Sequence, residues 1–173
     1  MLGEAEKRIV AAKVLSEAKG LDSLAGGEQD TGDSAHLLDL LALELLLKLL
    51  FSMDENRPPD RNHNYADLFD ALSDATRQEV RRIAGQRIGP SSISTDSGLA
   101  KALKLWGNNF VSLRYPYERY STMTEKQYTL HGEDWVKRGA PSAEADFEYR
   151  VLELKSIVRA LVEVARRRLT ESE

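Results

Sequence analysis

The densest chemistry in the chain lies at Arg114-Tyr115-Pro116-Tyr117-Glu118. One turn there carries a cation, two phenols and a carboxylate, a set able to grip a phosphate, stack on a base or meet a partner subunit. Upstream, Leu99, Leu103, Trp106, Phe110, Leu113 and Tyr117 recur at steps of four and three, which predicts an amphipathic helix over about 99–120. Pro116 withholds an N–H from the Ser112 carbonyl and disfavours α geometry at Tyr115, so the helix should be disturbed where these side chains cluster. Gly107, Val111 and Glu118 share the Arg114 face. A mid-helix glycine costs ~1 kcal/mol relative to alanine, so another helix or a ligand is expected to approach Gly107 closely. Asn108 and Asn109 precede the turn, and Asn109 is a candidate donor to phosphate.

Glu44 and Lys48 form a second group, four residues apart with the acid first, the favourable order for a helical ion pair. Their neighbours are Leu40, Leu41, Leu43, Leu45, Leu47 and Leu50, so at least part of the pair is expected to be desolvated and to need a further partner. Either the pair marks one exposed stripe, or Glu44 or Lys48 faces the Arg114 turn or its equivalent in a second subunit.

Conventional catalytic sets are missing. His36, His63 and His131 stand far apart, none in a metal-binding spacing, and no phosphate-cradling glycine loop is present. With no cysteine, disulfides and thiolate sites are excluded, which suits the cytoplasm. No metal and no cofactor is expected, and these residue patterns by themselves do not define an enzyme.

The elements that must position these groups read as helices. The first spans about 4–19, and the second about 35–53 with Ser34 as N-cap, apolar almost all round and therefore central. A breaker-rich loop, 54–64, holds Pro58-Pro59. A short helix begins at Tyr65; another, capped by Ser73 or Asp74, runs to about Arg87 with Arg77, Arg81, Arg82 and Arg87 outward. The polar stretch 121–142 reads as a lid, an insertion or a loop. A last helix over 143–169, roughly 40 Å long at ~1.5 Å per residue, is long enough to pack within the bundle or against a second copy. The result is one all-α domain over 1–173, an antiparallel up-and-down bundle of four to five helices.

Net charge is -4, so any RNA contact must come from a local patch rather than a wholly basic surface. Asp39, Glu44 and Lys48 interrupt the leucine-rich 37–53 segment within fewer than the ~20 apolar residues a membrane span needs. The first residues show no secretory pattern, so a cytoplasmic protein without membrane contact is expected.

Leu41-Ala42-Leu43-Glu44-Leu45-Leu46-Leu47-Lys48-Leu49-Leu50 looks like the A-x-E-x-x-L-K-A-L helix of HEPN domains (higher eukaryotes and prokaryotes nucleotide-binding). His63-Asn64-Tyr65-Ala66-Asp67-Leu68-Phe69 resembles their H-D-L-x-x-L-F element, and Arg114-Tyr115-Pro116 their R-Y-P or R-Y-x-Y-E turn. The resemblance covers about 35–169. It implies a homodimer that brings two arginine helices together in a cleft. It also implies RNA or nucleotide binding, and partners such as a nucleotidyltransferase-type antitoxin or another defence protein. Many such proteins are metal-independent ribonucleases with an Arg-x(4–6)-His motif, in which histidine moves protons and arginine stabilises phosphate charge. Here the positions after Arg114 that would hold the histidine carry Arg119, Tyr120 and Ser121. Arg57 and His63 have five residues between them, but flank Pro58-Pro59 in a loop.

The leading expectation is therefore a HEPN-like binding module of toxin–antitoxin or phage-defence systems. In it Arg114, Tyr115, Tyr117, Glu118, Asn109, Glu44 and Lys48 contact ligand. The alternatives are an active ribonuclease pairing Arg114 with His63 or His131, and a non-catalytic dimerisation scaffold.

Overall fold

The computed structural model describes residues 1–17, 32–59, 61–115, 121–139 and 148–171. Seven α-helices and no strand occur among them: α1 (Leu2–Glu17), α2 (Gly32–Glu55), α3 (Tyr65–Asp70), α4 (Asp74–Ile88), α5 (Asp96–Arg114), α6 (Glu125–Lys137) and α7 (Val151–Glu171). A 3-10 turn at Ser92–Ser94 precedes α5. The all-helical bundle agrees with the sequence, with more helices than the four to five expected.

Leucines on every side of α2 force it to the centre. Leu40, Ala42, Leu43, Leu46, Leu47 and Leu50 are fully buried, and α1, α3, α5 and α7 all pack against it. α7 supplies a narrower stripe, with Leu154, Ile157, Val158, Leu161 and Val164 buried at helical spacing. α5 contributes Leu99, Leu103, Trp106 and Phe110. Between α4 and α7, Ser156 Oγ donates to the Ala84 carbonyl at 2.9 Å.

One buried ion pair fixes the far end of this packing. Asp54, near the end of α2, accepts from the Ser73 N–H at 2.8 Å and the Thr76 hydroxyl at 2.8 Å, and pairs with Arg168 of α7 at 2.7 Å. Ser73 is the N-cap of α4, so one carboxylate ties three helices. Burial alone would raise the Asp54 pKa; the hydrogen bonds from Ser73, Arg168 and Thr76 outweigh it and hold the group below its ordinary value. With Glu6 of α1 on Arg166 at 2.7 Å, α1 runs antiparallel to α2 and α7.

Several boundaries depart from the sequence reading. α2 is already helical at Gly32, so Ser34 lies inside it rather than at its N-cap. α5 starts at Asp96, because Thr95 accepts from the Gly98 N–H at 3.1 Å. The last helix begins at Val151, and 143–147 of the expected span lie outside the described residues. Arg150 has φ 46°, a left-handed conformation that interrupts helical geometry, and the Tyr149 and Glu148 carbonyls accept from Trp106 and Asn109 side chains instead. Within 121–142, α6 forms behind a Thr124–Gln127 capping box and buries none of its residues. No described helix is long and apolar enough to cross a membrane.

Two predictions follow from the packing. A Cβ at Gly98 would lie 1.8 Å from the Ser92 carbonyl oxygen, whereas one at Gly107 meets nothing within 4 Å. Gly98→Ala should therefore lower the denaturation midpoint sharply, while Gly107→Ala should raise stability by up to ~1 kcal/mol, both read from urea melts. Arg168→Met, which strands a side chain only 5% exposed at Asp54, should cost on the order of 3 kcal/mol at neutral pH. Because the folded Asp54 binds its proton more weakly than the unfolded chain, its stabilisation is present above the ordinary carboxylate value of 3.8 and lost as pH falls below it. The deficit of Arg168→Met relative to wild type should shrink over that acid range.

Candidate functional site

Arg114 occupies the last turn of α5, where the helix gives way at Tyr115 (φ −128°, ψ 56°). Its guanidinium lies 5.2 Å from the Phe110 ring centroid and 5.1 Å from that of Tyr115, and donates to the Tyr115 hydroxyl at 3.1 Å. Stacking on two rings holds the cation in one orientation while leaving it exposed to solvent. No carboxylate among the described residues pairs with it.

Phe110 in turn packs against Tyr65 at the start of α3, with ring centroids 5.9 Å apart. The Tyr65 hydroxyl donates to the Leu40 carbonyl of α2 at 3.1 Å. One turn further along α2, Glu44 Oε1 accepts from Lys48 Nζ at 2.8 Å and lies 2.8 Å from His63 Nδ1. Asn64 caps α3 with its side-chain oxygen, which fixes the backbone just after His63. The Tyr65 phenol is pushed well above its usual pKa, mainly by burial and further by the Glu44 charge, with Arg114 opposing. Glu44 and Arg114 thus flank the same buried phenol.

The expectation that the Glu44–Lys48 pair is desolvated holds: the side chains are 11% and 15% exposed. The further partner of Glu44 is His63, whose own side chain is 62% exposed.

Other expected residues fall elsewhere. Tyr117 and Glu118 lie outside the described residues. Asn109 is buried and its amide donates to the Glu148 carbonyl at 3.0 Å, so it braces the chain entering α7. Arg57 lies over the Phe51 ring at 4.6 Å while His63 turns to Glu44. His131 sits on the exposed α6. Arg77, Arg81 and Arg87, read as outward, pair with Asp74, Asp96 and Glu163. Among the described residues no group of His, Asp or Glu is placed to hold a metal.

Sequence reading missed a second titratable pair, His36 and Asp39, one turn apart on α2. His36 is buried edge-on to Tyr149 at 4.6 Å, and neither ring nitrogen has a hydrogen-bond partner among the described residues. Burial, with Lys155 adding to it, pushes its pKa down to about 4. Burial pushes Asp39 up to about 6, opposed by Lys155 and Arg159. The signal was available: a histidine and an aspartate inside the most apolar helix of the chain.

The two shifts act on stability with opposite signs. As pH falls from 6.5 to about 4, the unfolded chain takes up the His36 proton first, which destabilises the fold. As pH falls from about 6 to 3.8, the folded Asp39 takes up its proton first, which stabilises it. Asp39→Asn removes the second effect, so its melting temperature should fall more steeply than that of wild type between pH 6.5 and 4.

Compared with known proteins, the chain matches no family model, no curated protein and no solved structure.

Proposed function

We propose that the chain is a HEPN-like module of a toxin–antitoxin or phage-defence system that forms a homodimer and binds RNA or a nucleotide phosphate through Arg114. The observation that carries this reading is the guanidinium held across Phe110 and Tyr115 without a carboxylate partner among the described residues. A fixed, unneutralised arginine is the group that binds a phosphate oxygen pair well. The exposed Tyr115 ring beside it offers a stacking surface, a contribution of ~1–3 kcal/mol per base.

A second reading, a metal-independent ribonuclease, is favoured by the Glu44–His63 contact at 2.8 Å. A carboxylate on Nδ1 fixes the tautomer and orientation of an imidazole, leaving Nε2 to accept or deliver a proton near a phosphate held by Arg114.

Arg114→Ala should weaken binding of a labelled oligoribonucleotide at least tenfold in fluorescence anisotropy; equal binding by both proteins removes Arg114 from the site. RNA cleavage in EDTA that is lost in both Arg114→Ala and His63→Ala selects the ribonuclease reading. Intact RNA bound tightly by the wild type selects the binding module.

A further inference from the structure

Away from Arg114, α1, α7 and the end of α4 enclose two adjoining cavities of ≈400 and ≈180 Å³ that share Ile9 and Arg159. The larger falls within the ~300–1,000 Å³ range of small-molecule sites. The walls of the two carry many charges, but most are already matched. Arg166 pairs with Glu6 at 2.7 Å, Arg87 with Glu163 at 2.6 Å, and Lys13 with Glu17 at 3.9 Å.

Two cations are left over. Arg159 and Lys155 make no hydrogen bond or ion pair among the described residues. Glu163, one turn past Arg159, is turned to Arg87 instead. Arg159 and Lys155 sit four apart on α7, where like charges repel, and the acid facing them is the single buried Asp39. The shared wall therefore has one positive charge in excess. Beside it lies an apolar strip, Ile9, Val10 and Val162, in which Val10 is 62% exposed. Ile9 and Val162 pack in part against the core, and the three side chains have no donor or acceptor to read a sugar or a base, so the group complementary to the strip is a hydrocarbon.

We propose that this groove binds a small amphipathic monoanion, a medium-chain carboxylate, with its head on Arg159 and Lys155 and its chain over Ile9, Val10 and Val162. The excess charge selects an anion, the apolar strip selects a hydrocarbon body, and Ile9 and Arg159, which line both cavities, bring the two together. The site is separate from the Arg114 cluster and does not depend on the function proposed for it.

Calorimetric titration with decanoate, decanol and acetate tests this, with decanoate kept below the concentration at which it self-associates. Decanoate should bind saturably and raise the melting temperature, with decanol and acetate each at least tenfold weaker. Arg159→Gln, an exposed substitution, should weaken decanoate at least tenfold while the free protein still melts in a single cooperative transition. Lys101→Gln, which removes a positive charge on α5, should leave the affinity within twofold. No saturable decanoate binding, equal binding of decanol or acetate, or an Arg159→Gln protein that binds as wild type would each overturn the proposal. So would equal losses in the Arg159 and Lys101 variants.

Discussion

A helix that is apolar almost all round must be covered on most of its surface, and this constraint on α2, where only Leu37, Leu38, Leu41, Leu45 and Leu49 among the leucines stay partly buried, organises the rest of the chain. Polar groups on such a helix cannot rely on water, so each one dictates what is placed beside it. Glu44 recruits Lys48 and His63; Asp54 recruits Ser73, Thr76 and Arg168. Asp39 lies within the field of Lys155 and Arg159, and His36 stays neutral against Tyr149. Read from one end of α2 to the other, these side chains locate α7, the entry to α3 and the cap of α4. The leucines between them supply most of the burial, but leucines are interchangeable in a way that a carboxylate with three donors is not.

The same economy separates structural arginines from candidate functional ones. α4 and α7 are rich in arginine, yet Arg77, Arg81, Arg87, Arg166, Arg167 and Arg168 each meet an acid within the chain. A basic face for nucleic acid is therefore not to be sought there, despite the count. Arg114 is held by aromatic rings, and Arg159 borders a cavity; both keep their charge available. The partner of a cation thus says more about its role than its place in the sequence does.

Much of this was legible in the sequence where the cause is local. The burial of α2, the Ser73 cap and the desolvated Glu44–Lys48 pair follow from patterns a few residues long. The start of α7 was not legible, because the apolar spacing continues smoothly past a boundary set by Trp106 and Asn109, some forty residues away. Asp54 and Arg168 are 114 positions apart, and no periodicity links them. His63 was noticed as a loop histidine, but its attachment to Glu44 depends on how the proline-containing loop returns to α2. Arg114 stood out through its neighbours, of which Tyr117 and Glu118 lie beyond the described residues.

α6 belongs to a different energetic class from the helices around α2. None of its 13 residues is fully buried, and a capping box and surface pairs such as Lys137 with Glu133 at 3.5 Å contribute to its helicity. Isolated helices of ~12–15 residues are marginal in water. The amide protons of α6 should therefore exchange faster than those of the buried helices around α2. Substitutions there leave the core almost unaffected, which makes this segment the part of the chain most open to sequence drift.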